Sequence, residues 1–178
     1  PWIVSASALG KDGAVAPSNR VTIGCIGMGG MGRYDMSALL GLPDVQVVAV
    51  CDPKRPAREA GQQQVDGHYG KSDCKAYNDF RELVSRNDID AVSIASTDHW
   101  HALHALAAVR SGKDVYVEKP MTHNIFEGRK VVEAAAKYGR IVQHGTQLRS
   151  NPGFQEGINE LKNGIIGDVY MARCVCYK

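Results

Sequence analysis

The sequence predicts an α/β protein: a doubly wound parallel sheet, followed by the beginning of a second α/β unit. Three observations carry this. Short apolar runs alternate with longer helical patterns from residue 21 to residue 143, and parallel neighbours need helical crossovers of that length. The first run, Val21-Thr-Ile-Gly-Cys-Ile26, empties into Gly27-Met28-Gly29-Gly30-Met31-Gly32 and restarts as a helix. The second run ends at Asp52, twenty residues after Gly32.

Gly27, Gly29 and Gly32 fit G-x-G-x-x-G, the spacing of a Rossmann-type strand, phosphate loop and helix. The first glycine makes a tight turn, the second lets a pyrophosphate approach bare backbone, and the third packs the helix on the strand. Unpaired N–H groups at the helix start complete an anion site. Asp52, after the apolar strand 45–51, can accept from an adenosine ribose, although a turn aspartate before Pro53 has the same appearance.

The remaining elements follow in order. Residues 34–42 read as a helix stopped by Pro43, and 53–64 as a solvated helix. Residues 65–74 are polar and glycine-containing and read as loop. A marginal strand at 75–77 precedes a short helix at 79–86, capped by Asn78 or Asp79, and a clear strand at 91–95. The helix at 99–111 places Leu103, Leu106 and Ala107 on one face and ends at Gly112. Strands at 115–117 and 141–143 flank an amphipathic helix at 125–138 that ends at Gly139. Beyond 150 the character changes, to a helix at 151–163 stopped by Gly164 and a strand at 168–177. That strand has no new partner in the sequence, which predicts a chain stopping inside a second domain.

Composition narrows the function classes. A net charge of +2 gives no electrostatic case for nucleic acid or an anionic membrane as partner, and no apolar run reaches transmembrane length. The five cysteines show no C-x-x-C spacing and read as packing residues. Residues 1–19 read as a leader: Ala6-Ser7-Ala8 resembles a signal cleavage site, which suggests export, by a twin-arginine route if the cofactor is loaded first. A ragged tail on a cytoplasmic protein is the alternative.

Ligands of such sheets bind beyond the carboxyl ends of the strands. Residues 27–32, Asp52, 96–101, 118–122 and 145–149 each follow a strand, so they converge on one edge. Glu118-Lys119-Pro120 is the most suggestive of these, because a lysine at the mouth of a low-dielectric cleft can exchange a proton with a substrate hydroxyl. From the pattern alone, a surface Glu-Lys pair before a turn proline is the commoner explanation. His99, His101 and His104 invite a metal, but only His101 and His104 share a helix face, and no carboxylate or thiolate completes a set; no metal is expected. The better reading turns this helix start toward a cofactor, with His99 and His101 as polar neighbours and Trp100 as a packing residue. His123, His144, Gln147 and Arg149 also follow strands; Arg149 suits an oxygen-rich substrate, or equally begins a linker.

Taken together, Gly27 to Gly32, Asp52, Ser96-Thr-Asp-His-Trp-His101, Glu118-Lys-Pro120 and Gly145-Thr-Gln-Leu-Arg-Ser150 closely resemble the Gfo/Idh/MocA oxidoreductase family. The resemblance implies a Rossmann domain over residues 20–150 and the start of a C-terminal α/β domain over 151–178. It further implies NAD or NADP, a sugar-like or polyol substrate, and a homo-oligomer in the full-length protein. The lysine matching Lys119 takes part in catalysis in the family, and the proline after it often has a cis peptide bond. Cofactor-binding candidates are Gly27, Met28, Gly29, Gly30, Met31, Gly32, Asp52, Ser96, Thr97, His101 and Glu118; Gln147 and Arg149 are candidates for substrate. Two departures stand out. Ser96-Thr97 replaces the family's common Thr-Pro, and the family's further catalytic Asp and His belong to a second-domain motif that this chain does not reach.

The implied activity is hydride transfer between a nicotinamide and a sugar or polyol hydroxyl. Asp52 favours NAD by repelling a 2′-phosphate, while Lys54 and Arg55 soften that repulsion and leave NADP open. The alternatives are NAD-dependent glycoside cleavage, a dinucleotide-binding module without catalysis, and methyl transfer from S-adenosylmethionine, which leaves Glu118-Lys-Pro120 unexplained.

Overall fold

A computed structural model describes residues 6–11 and 15–175. The leader reading therefore falls in part outside the described residues; Ala6–Leu9 form one short 3-10 turn. The chain divides into two compact units, Pro1–Gly145 and Thr146–Lys178, five residues earlier than the boundary expected at 150.

The first unit alternates strands and helices throughout: β1 Val21–Ile26, α1 Gly30–Leu40, β2 Val45–Cys51, α2 Arg55–Tyr69, β3 Lys75–Tyr77, α3 Phe80–Val84, β4 Ala91–Ile94, α4 Asp98–Arg110, β5 Asp114–Glu118, α5 Ile125–Tyr138 and β6 Val142–Gly145. The strands form one sheet in the order β3-β2-β1-β4-β5-β6, every pair parallel. This is the Rossmann order, which reverses direction between β1 and β4 and opens a crevice there. Met36 and Leu40 of α1 and Val65 of α2 pack with Ile23, Cys25 and Val50. Leu83, Ala105, Val109 and Val131, from α3, α4 and α5, pack with Ala49, Val92, Ile94 and Val117. Two separate apolar clusters of this kind are what helices on both faces of a sheet require.

One irregularity bears on the site. Ile23 pairs with Val47 but Gly24 pairs with Ala49, so Val48 is an extra residue in β2. Strand side chains alternate faces, so this bulge puts Val47 and Val50 in the same cluster and swings Asp52 to the side of Met28.

Several boundaries differ from those the sequence predicts. α1 begins at Gly30, inside the glycine loop, rather than at residue 34. α2 does not stop at 64. Val65 is buried, Val47 N donates to Tyr69 Oη at 3.1 Å, and Gly70 in the left-handed conformation ends the helix. In α4 the buried face is His101, Ala102, His104, Ala105, Ala108 and Val109, whereas Leu103 is exposed. Apolar and polar residues are both spread round this helix, and Ala102, Ala105 and Ala108 take the inward face, where small side chains let it approach the sheet closely. In the second unit, a 3-10 turn at Gln147–Ser150 leads into α6, Pro152–Lys162. Residues 168–175 carry no strand, against the expectation for 168–177.

Cys25, Cys51 and Cys74 are buried free thiols and Cys174 is exposed; Cys176 lies outside the described residues. Burial pushes Cys51 and Cys74 up to about 12 and Cys25 higher still, so these three are packing groups without thiolate chemistry. Among the described residues no helix is long and apolar enough to cross a membrane.

Candidate functional site

The carboxyl ends of β1, β2, β3 and β4 surround a cavity of about 670 Å³. Gly27, Gly29, Gly30, Met31, Asp52, Ser96 and Thr97 all line it, brought together from three separate strand ends.

Each glycine of the loop answers to a different constraint. Gly27 has φ +90°, and a Cβ there would lie 2.5 Å from Ser96 N. A Cβ on Gly32 would lie 1.8 Å from the Gly27 carbonyl oxygen, because α1 crosses directly behind the turn. Gly29 has nothing within 4 Å of its Cβ position, so that side is open for a ligand. Gly29 is also the N-cap of α1 and offers no side-chain acceptor, which leaves the first-turn N–H groups for an anion.

Asp52 joins the loop to β2. Its Oδ2 accepts from Met28 N and its Oδ1 from Lys54 N, both at 2.8 Å. A carboxylate has about four lone-pair sites, so each oxygen retains capacity toward the cavity that Asp52 lines. Arg58 closes the back of this corner by donating to the Asp52 carbonyl at 2.6 Å.

Asn78, Asp79, Phe80, Arg81 and His104, which the sequence reading did not place in the site, also line the cavity, together with Trp100, which it placed at this edge as a packing residue. The first four directly follow β3, so the rule that strand ends carry the site would have found them had that marginal strand been included. Trp100 stacks on His104 with ring centroids 5.6 Å apart, and Phe80 lies 4.4 Å from His104, giving an apolar wall suited to a flat ring. Burial, helped by His101, pushes His104 down to about 4, and its Nδ1 pairs with Ser96 Oγ at 3.0 Å.

Four of the cofactor candidates do not line the cavity. Met28 is buried under it against Gly61, and Gly32 sits behind the turn. His101 is 2% exposed, with Nδ1 2.6 Å from the Pro120 carbonyl and Nε2 2.9 Å from the Ser96 carbonyl; it faces backbone rather than a cofactor. Glu118 is 3% exposed, accepting from Tyr116 Oη at 3.1 Å and from Lys119 N at 3.2 Å. A Cβ on Gly145 would meet Tyr116 Oη at 2.6 Å and Glu118 Oε1 at 2.8 Å, so the glycine that ends β6 is set by this pair. Burial, and then the Glu118 charge, holds the Tyr116 hydroxyl well above the phenol range and pushes Asp35 up to about 6.

Lys119 follows β5 directly, is exposed, and is joined to Pro120 by a cis peptide bond. Met121 N donates to His144 Nε2 at 3.2 Å, holding this loop to β6. His99 and His123 are exposed. Gln147 and Arg149 are exposed residues of the second unit. Among the described residues no three His, Cys, Asp or Glu side chains are grouped to hold a metal ion.

Comparison with known proteins bears on the same residues. The chain is 32% identical over 153 residues to inositol 2-dehydrogenase/D-chiro-inositol 3-dehydrogenase of Halalkalibacterium halodurans, covering 85% of this chain and 42% of that protein. The crystal structure of an NAD binding oxidoreductase from Klebsiella pneumoniae is 31% identical, with a TM-score of 0.65, over 83% of this chain and 40% of that one. A scyllo-inositol dehydrogenase from Lactobacillus casei, solved with NAD(H) and scyllo-inositol, shares the fold at 22% identity, with a TM-score of 0.72 over 84% of this chain and 43% of that one. The chain thus spans less than half the length of these relatives. The family model described as oxidoreductase family, NAD-binding Rossmann fold, matches residues 21–146, the whole sheet and every cavity-lining residue, and the chain belongs to that family, Gfo/Idh/MocA.

Proposed function

We propose that this chain is the cofactor-binding part of an NAD-dependent dehydrogenase that oxidises a polyol or sugar hydroxyl, of which an inositol is the first to test. One observation carries the reading most: a single cavity gathers Gly29, the open start of α1, Asp52 and Ser96 at the strand ends, and Lys119 directly follows strand β5, which pairs with β4. The residues fit a dinucleotide. Gly29 and the α1 N–H groups suit the pyrophosphate, and the free lone pairs of Asp52 suit a ribose diol. Ser96 and Thr97 border the ring region, and the Phe80, Trp100 and His104 wall keeps water from it. The nicotinamide, when bound, supplies the two-electron acceptor for the hydride leaving the carbinol carbon.

Lys119 Nζ takes the hydroxyl proton as the C–H bond breaks, so that the alcohol leaves as a ketone and the proton reaches solvent through the exposed lysine. Glu118, held by Tyr116 and by the Lys119 N–H, fixes the backbone from which that lysine projects. Gln147 and Arg149 are assigned to substrate hydroxyls. In the intact protein, Lys119→Ala is expected to lower turnover of myo-inositol with NAD by about 10²–10⁴-fold while NAD affinity, measured by calorimetry, stays within a few fold. Unchanged turnover would remove Lys119 from this role.

A further inference from the structure

His101 satisfies both ring nitrogens inside the protein, and its two partners belong to two different loops of the site. Ser96 lies on the loop after β4 and lines the cavity, whereas Pro120 follows Lys119 on the loop after β5. The ring is 2% exposed, on the first turn of α4. β4 and β5 are paired along their length, but the pairing ends at Ile94 and Val117, before either loop begins. Beyond that point the loops need some other tie.

We propose that His101 is a positioning residue, a buried strut that joins the Ser96 carbonyl of the cofactor loop to the Pro120 carbonyl of the Lys119 loop and thereby sets the spacing between cofactor and proton-exchanging lysine. The proposal rests on the reading of Lys119 given above. Three further contacts make the strut specific. His104, one turn along the same helix, holds Ser96 by its hydroxyl, so α4 grips that residue at both its carbonyl and its side chain. His144 holds Met121 from β6, so the Lys119 loop is gripped from both sides at adjacent residues, Pro120 by α4 and Met121 by β6. Ala102 and Ala105, both fully packed, hold the first turns of α4 against the sheet, so the imidazole cannot shift without moving the helix. Both partners of His101 are backbone carbonyl oxygens, 2.6 and 2.9 Å from its two ring nitrogens, so the one ring sits between both loops. A misplacement of about 1 Å between reacting groups costs on the order of 10²-fold in rate, which makes such a tie consequential for chemistry without any contact to substrate.

The test compares His101→Leu, which removes both bonds, with His101→Gln, whose amide can still reach one carbonyl, in the intact protein. Backbone ¹⁵N order parameters at Thr97 and Met121 are expected to fall together in His101→Leu, and less in His101→Gln, while those in β4 and β5 keep their wild-type values. With NAD and myo-inositol, kcat is expected to fall about 10–100-fold in His101→Leu, with KM and the calorimetric NAD affinity changed by no more than a few fold, and His101→Gln is expected to recover part of the loss. If both loops keep their order parameters, or if only one loosens, the strut is wrong. If His101→Leu does not fold, His101→Gln alone decides by the same two loops. If Lys119→Ala leaves turnover intact while both loops loosen in the His101 variants, the lysine assignment fails and the strut stands.

Discussion

A methyl group at Gly29 and one at Gly32 meet opposite surroundings although the two residues are three apart. At Gly29 it enters open space, and the backbone there (φ −69°, ψ −168°) is available to alanine; at Gly32 it lands 1.8 Å from a carbonyl oxygen. Gly29→Ala is therefore expected to keep wild-type thermal stability and weaken NAD about tenfold or more, about 1.4 kcal/mol. Gly32→Ala is expected to lose about 1–3 kcal/mol of stability as the turn shifts. Melting curves and NAD calorimetry separate the two outcomes, and equal stability losses would contradict the division of labour in the loop.

Asp35 provides the clearest pH signature at the same scale. Its Oδ2 is buried without a hydrogen-bond partner, and burial followed by Glu118 raises its pKa from 3.8 to about 6. The folded state thus holds this proton to higher pH than the unfolded state does, so stability is greatest below about 4 and falls as pH rises through 4–6. His104 works with the opposite sign. Its pKa is lowered from 6.5 to about 4, so its contribution is intact above 6.5 and is lost as pH falls toward 4. The wild-type profile mixes the two. Asp35→Asn is expected to be more stable than wild type at pH 7, with the difference vanishing by about pH 4. Chemical denaturation at pH 4 and pH 7 measures this; a difference that stays constant between them would contradict it. Residues of this kind were not legible from the sequence. Asp52 could be picked out because its position after a strand and its distance from the glycines are fixed by backbone geometry. Asp35 and His101 owe their properties to burial and to backbone carbonyls from remote loops, which no local spacing records.

At the scale of elements, the strands were legible and the helix faces less so. β1, β2 and β4 are apolar runs buried on both sides, and such runs need no tertiary information to stand out. In α4, Leu106 and Ala107 of the predicted face pack on the core as partly buried residues while Leu103 is exposed, because apolar residues spread round this helix give periodicity no single side; close packing of its alanines decides. α2 outran its prediction because Val65 and Tyr69 anchor an otherwise polar segment. α5 matched its predicted span, and its start has a local cause: Asn124 Oδ1 accepts from Glu127 N at 3.0 Å, and Glu127 Oε2 accepts from His123 N at 3.0 Å. Asn124→Ala is expected to cost about 1 kcal/mol in urea denaturation, and Asn124→Asp to restore most of it. No loss on Asn124→Ala would mean that the cap is idle.

For the molecule as a whole, the fold and the cofactor cavity are both contained in the first unit, so cofactor binding is the property this chain can be asked for directly. The relatives this chain matches are more than twice as long. The decisive measurement is calorimetric titration of the protein with NAD, NADP and S-adenosylmethionine. Saturable binding is expected for NAD, weaker binding for NADP, none for S-adenosylmethionine, and a narrowed gap between NAD and NADP in Asp52→Ala. Failure to bind either dinucleotide, or binding of S-adenosylmethionine alone, would contradict the account.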